Sequence, residues 1–183
     1  ARAAGAEVVE CPRRGYGSAC LAGIRHLAVD PPDVVVFLDA DGADDPDDLG
    51  SLLAPIRADR ADLVIGSRAR GEAEPGALTP VQRFGNALSC TLIRALFGAR
   101  FTDLGPFRSI TWTALWGLQM ADPDFGWTVE MQARAARCGL RCGEVPVRYR
   151  RRAAGRSKVS GTVVGSARAG ATILLTIGRE VLR

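Results

Sequence analysis

Lysine and histidine are nearly missing from this chain. Of its 24 basic residues only Lys158 is a lysine, and His26 is the one histidine. A zinc site of mixed Cys/His type would have to draw on that single imidazole, which is remote from Cys138 and Cys142, and these two have no second pair. The five cysteines show no Cys-x-x-Cys spacing, and their odd number argues against a complete disulfide framework. They are read as reduced thiols of a cytoplasmic protein. Long apolar runs are missing as well. The longest near the C-terminus, Ala169 to Ile177, contains Gly170 and two threonines and is far too short to cross a bilayer; no secretory leader opens the sequence. Aromatic residues make up 6%. Only Tyr149 interleaves with the basic cluster Arg148, Arg150, Arg151, Arg152, Arg156 and Lys158, and no helix-turn-helix or RNA-binding signature is present. The net charge of +4 therefore points to an anionic partner other than nucleic acid.

What the chain does have is enough apolar residue for one α/β domain, 47% of 183. The run Val34-Val35-Val36-Phe37-Leu38 reads as a strand buried on both faces, as in a parallel sheet covered by helices. Asp39-Ala40-Asp41 closes it. Alternation along an extended segment would put both carboxylates on one side, where together they could grip one hard cation such as Mg²⁺ or Mn²⁺. Asp44, Asp45, Asp47 and Asp48 follow, with Pro46 among them, and are assigned to capping the helix Leu49 to Ile56. An EF-hand is excluded, because counting from Asp39 puts Asp44 where glycine is needed and Gly50 where the bidentate glutamate belongs.

The remaining elements alternate. Glu7 to Glu10 reads as a short strand, Ser18 to Ala28 as a helix, and Asp62-Leu63-Val64-Ile65-Gly66-Ser67-Arg68 as a second buried strand ending in polar residues. Strands alternating with helices imply a parallel, doubly wound sheet with ligands beyond the carboxyl ends of its strands, so Asp39, Asp41 and Arg68 should share one rim. Pro80 opens a helix to about Phe97 whose apolar stripe is Val81, Phe84, Leu88, Leu92 and Ala95, with Arg83 and Asn86 on a polar face. A loop Thr102 to Arg108, a helix near Trp112 to Met120, a helix Phe125 to Arg137 and a strand Leu140 to Tyr149 follow. Glu130 has two readings, a surface pair with Arg134 or a general base at the pocket wall. Gly161 to Arg183 reads as a C-terminal helix, packed on the domain or lying on an anionic membrane through Arg168, Arg179 and Arg183.

In order along the chain, Phe37-Leu-Asp-Ala-Asp-Gly42, Val64-Ile-Gly-Ser-Arg68, Arg83-x-x-Asn86, Phe107-Arg108, Glu144-Val-Pro-Val147 and Arg152-Ala-Ala-Gly-Arg-Ser-Lys158 resemble a family 2 glycosyltransferase of the GT-A fold, nearest the dolichyl- and polyprenyl-phosphate sugar synthases. The resemblance implies a Rossmann-like, mainly parallel sheet with helices on both faces and an inverting transfer from a nucleotide-diphospho-sugar. It implies that Asp39 and Asp41 hold Mg²⁺ or Mn²⁺ on the donor diphosphate, that Asp41, Glu130 and Arg152 are the catalytic candidates, and that Arg68, Arg83, Arg108, Arg152 and Lys158 meet donor or acceptor phosphate. Ala43 stands where those synthases usually carry glutamine. Family members begin with a strand and an acidic, glycine-rich turn for the nucleobase, so residues 1–183 are expected to be one such domain lacking that first strand. The expected acceptor is polyprenyl phosphate, reached at the inner face of the membrane; the alternatives are a soluble hydroxyl acceptor with Glu130 as base, a sugar nucleotidyltransferase, or a non-catalytic anion- and metal-binding fragment.

Overall fold

The structure, a computed structural model, describes residues 1–152 and 163–182, with side chains in the final stretch described from Gly170 onward. Arg156 and Lys158 lie outside these residues, as do Arg183 and the side chain of Arg168. The elements run α1 (Tyr16–Leu27), β1 (Val34–Phe37), α2 (Leu49–Arg57), β2 (Leu63–Ser67), α3 (Pro80–Phe97), β3 (Arg108–Thr111), α4 (Trp112–Leu118), α5 (Trp127–Arg137), β4 (Cys142–Pro146) and α6 (Val163–Val181). Glu7 to Glu10 forms no strand; Val8 and Val9 are each 39% exposed, and without a neighbouring strand their β-branched side chains have no sheet to join.

The four strands form one sheet in the order β1-β3-β2-β4. β2 and β4 pair in parallel, while β3 is antiparallel to both β1 and β2. Strands β1, β2 and β4 therefore run the same way, as the alternation of strands and helices requires, and β3 alone is reversed. Val34, Leu63 and Val145 are in one sheet, but β1 and β2 are not neighbours. β1 is also less enclosed than its sequence suggests: only Val35 is fully buried, because the strand is an edge of the described sheet.

Helices cover both faces. Val35, Leu63, Ile65 and Ile110 point to a core shared with Ile93 of α3 and Trp127, Val129 and Met131 of α5. Leu52 of α2 packs on the opposite face with Val36, Phe107, Val145 and Val147. Asp45 caps the turn before α2, accepting from the Asp47 N–H at 3.2 Å with Pro46 at the first position, as the sequence indicates.

α3 is rotated relative to its apolar stripe. Val81, Phe84 and Leu88 are 60%, 69% and 39% exposed, and the face turned inward carries Asn86, Ser89, Cys90 and Ile93 instead. The rotation is set by polar bonds: Asn86 Nδ2 donates to Thr102 O and Asn86 Oδ1 accepts from the Leu104 N–H, both at 2.8 Å. A reciprocal box between Thr79 and Gln82 fixes the start of the helix. α6 packs on the domain through Ile173, Thr176, Ile177 and Glu180, leaving Leu174, Leu175 and Val181 outside. No helix among the described residues is long and apolar enough to cross a membrane.

Candidate active site

The reversed strand has a geometric consequence. The carboxyl ends of β1, β2 and β4 and the amino end of β3 all meet at one rim of the sheet. That rim receives Asp39 and Asp41 after β1, Arg68 after β2, Asp103 before β3 and Arg108 at its first position, and Tyr149 and Arg152 after β4.

Asp39 and Asp41 come together in a turn, not on an extended strand. β1 ends at Phe37, Gly42 takes a φ of 74°, and the Ala43 N–H closes the turn on Asp41 Oδ1 at 3.0 Å. Gly42 is needed because that left-handed backbone strains any residue with a Cβ. Burial raises the Asp39 carboxyl above the ordinary carboxylate range, and the adjacent Asp41 charge adds to the rise, against Arg152, Arg68 and Arg108. Asp41 Oδ2 is met by Arg152 Nε at 2.9 Å. The oxygen-only donor set of the pair suits Mg²⁺ or Mn²⁺. Among the described residues, no three acidic, histidine or cysteine side chains stand in metal-ligand geometry, so Asp39 and Asp41 form a two-carboxylate site. The residues fit a cation whose remaining positions are filled by water and by a ligand's phosphates.

Arg68 is locked from behind. Its Nε and Nη2 donate to the two oxygens of Asp103 at 2.8 and 2.6 Å, its main-chain N–H reaches Asp103 Oδ2 at 2.7 Å, and its guanidinium stacks 5.0 Å from the centre of the Tyr149 ring. Such a bidentate, stacked arginine is held rigidly. Asp103 in turn sits in a loop clamped on every side. Glu144 accepts from the Thr102 and Asp103 N–H groups at 2.7 and 3.3 Å, and Gln132 Nε2 donates to Asp103 O at 3.0 Å. Asp103 and Glu144 were visible in the sequence only as members of motifs, since a carboxylate partner 35 residues from Arg68 leaves no local pattern.

Several sequence expectations are corrected here. Arg108 is not exposed to any phosphate: it is fully buried and spends its donors on Leu104 O, Gly105 O, Thr128 O and Gln132 Oε1. Burial without a carboxylate partner pulls its guanidinium down to about 10. Glu130 is neither on the surface nor at a pocket wall. It is 3% exposed, pairs with Arg134 at 2.7 Å, and accepts from the Ala121 and Asp122 N–H groups at 3.0 and 2.8 Å. The basic cluster is also largely spent. Arg148 pairs with Asp45 and Asp48, Arg150 with Asp45, and Arg151 donates to Glu74 and to Pro75 O. Arg83 is exposed on α3, and Lys158 lies outside the described residues.

Residues 2–120 match the profile of glycosyl transferase family 2, and the chain belongs to that family. It is 39% identical over 163 residues to an uncharacterized glycosyltransferase of Mycobacterium tuberculosis, covering 88% of this chain and 72% of that protein. It is 36% identical over 161 residues to the undecaprenyl-phosphate mannosyltransferase of Micrococcus luteus, covering 84% of this chain and 64% of the relative. The crystal structure of glucosyl-3-phosphoglycerate synthase from Mycobacterium tuberculosis with Mn²⁺, uridine-diphosphate-glucose and phosphoglyceric acid superposes with a TM-score of 0.60 at 23% identity. That match covers 91% of this chain and 56% of the solved one, so the chain spans little more than half of that protein, and the shared feature is the GT-A fold.

Proposed function

We propose that this glycosyltransferase moves a sugar from a nucleotide-diphospho-sugar to a polyprenyl phosphate with the help of Mg²⁺ or Mn²⁺. The observation that carries the proposal is the pair Asp39 and Asp41 facing Arg68 and Arg152 on one rim, beside a helix that exposes Arg83 between Val81 and Phe84. When bound, the divalent cation would supply Lewis-acid charge to the departing diphosphate. Asp39 and Asp41 would hold it. Arg68, rigid on Asp103, presents fixed positive charge to the donor phosphates at no cost of reorganisation, which is how pre-aligned groups stabilise a developing charge. Arg152 is already at the rim and would exchange Asp41 for phosphate. A phosphate acceptor is ionised at neutral pH and needs no general base, which agrees with a Glu130 sealed inside the domain. The named activities of the mannosyltransferase and the Mn²⁺ and uridine-diphosphate-glucose of the solved neighbour support the same reading.

The exposed residues of α3 favour a lipid over a small soluble acceptor, since an apolar chain could lie along Val81, Phe84 and Leu88 with its phosphate toward Arg83. Phe84→Asp is therefore expected to leave the thermal melt unchanged and to lower turnover of a short-chain polyprenyl phosphate by about 10- to 100-fold, the worth of burying one phenyl ring. Unchanged turnover would remove α3 from the acceptor site. Transfer to a water-soluble phosphorylated acceptor, with none to any polyprenyl phosphate, would replace the lipid by a soluble substrate.

A further inference from the structure

Asp44 does not cap the helix that follows it. Asp45 does, and the neighbouring arginines Arg148 and Arg150 go to Asp45 and Asp48. Asp44 is 4% exposed, and among the described residues both of its carboxyl oxygens lack a hydrogen-bond partner. It is also fixed in place. Its residue bridges to Tyr149, and the adjacent Ala43 O accepts from the Arg150 N–H at 2.7 Å, so the segment cannot swing the carboxyl into water without breaking both ties. Burying an unpartnered carboxylate is costly, and folding alone gives no reason to keep one.

The surroundings of Asp44 identify what it is kept for. Burial pushes its carboxyl up to about 7, and Asp39 and Asp41 raise it further, while Arg68 acts the other way. The Asp39 N–H also opposes the rise without reaching hydrogen-bond geometry. Arg68 is already committed to Asp103. Four carboxylates, Asp39, Asp41, Asp44 and Asp103, meet three guanidinium groups here, Arg68, Arg108 and Arg152, so the ionised rim carries an excess of negative charge. Direct ligation by all three rim carboxylates does not match their geometry. Mg²⁺ and Mn²⁺ retain bound waters, and such waters are donors without a partner of their own.

Resting on the metal reading above, we propose that Asp44 is the outer carboxylate of the cation site, accepting hydrogen bonds from waters carried by a divalent cation on Asp39 and Asp41. The expected signature separates this role from a structural one. Free Mn²⁺ is followed by electron paramagnetic resonance as the protein is added in the presence of uridine diphosphate and, separately, of guanosine diphosphate, for wild type, Asp41→Asn and Asp44→Asn. Loss of an outer-shell partner typically weakens metal binding about 10- to 100-fold, and that is the loss expected for Asp44→Asn. Without cation, the same variant should melt no lower than wild type, because an amide replaces an unpartnered buried charge.

Mn²⁺ affinity in Asp44→Asn equal to wild type, with Asp41→Asn weakened, would overturn the role of Asp44 and leave the metal reading intact. A wild type that binds no better than Asp41→Asn would overturn both. A cation-free melt several degrees below wild type, or failure to fold, would make Asp44 structural. Asp44→Ser, smaller and uncharged, is read by the same criteria.

Discussion

Arg134→Gln is expected to lower the free energy of unfolding by about 3–5 kcal/mol, the usual cost of leaving buried charges without their partner. Arg134 is 3% exposed and lies between two carboxylates, Glu130 at 2.7 Å and Glu180 at 3.0 Å, whose side chains are equally enclosed. It also donates to Leu118 O at 3.0 Å and to Gln119 O. The cluster thus joins α4, α5 and α6 through one guanidinium. Removing it takes from both carboxylates the guanidinium they share, while the partly exposed Arg137 stays near Glu180 at 3.4 Å. Glu130→Gln should cost less, because Arg134 keeps Glu180. Chemical denaturation measures both effects. The same variants decide the chemistry of Glu130: turnover per folded molecule should be unchanged in Glu130→Gln, whereas loss of a required base costs about 10²–10⁴-fold.

Arg108→Lys is expected to be almost as damaging, about 2–4 kcal/mol, although it conserves charge. The guanidinium serves carbonyls of residues 104, 105 and 128 at once, with distances of 2.5 to 3.1 Å. A lysine ammonium has three donors on a single atom and cannot span that fork, so at least one buried carbonyl loses its partner. The effect should travel to the rim. Residues 104 and 105 directly follow Asp103, and a loosened Asp103 frees Arg68 from its bidentate hold. Faster proteolysis within residues 102–107, together with weaker nucleoside diphosphate binding, would report this; a variant as stable as wild type would show that the carbonyls find other donors.

The parts of the molecule legible in the sequence are those whose causes are local. Asp45-Pro46 announces a helix start because the cap and the proline act within three residues, and Asp39-Ala-Asp41 marks the rim because the two carboxylates and Gly42 make their own turn. The family motifs, which record the whole fold, lead to the correct family and fold class. Features decided at long range were hidden. β3 is four residues beginning with an arginine, too short and too polar to signal a strand, and it exists because β1 and β2 leave a gap between them. The stripe of α3 satisfies helical periodicity, yet Asn86 turns it outward through bonds to residues 102 and 104. Glu130 and Arg134 are correctly paired by their spacing, but their burial depends on α6, about 50 residues on. Arg148, Arg150 and Arg151 read as free charge because their acidic partners lie 77 to 105 residues away.

The claim on which the rest depends is that Asp39 and Asp41 hold a divalent cation for a nucleoside diphosphate. Calorimetric titration with uridine and guanosine diphosphates, with and without Mn²⁺, addresses it directly in wild type and Asp41→Asn. Binding of at least one of the two should require Mn²⁺ and should weaken by about tenfold or more in Asp41→Asn, since two carboxylates form a weak site that cannot lose one. Equal affinity with and without metal, or an Asp41→Asn variant that binds metal and diphosphate like wild type, would contradict the assignment.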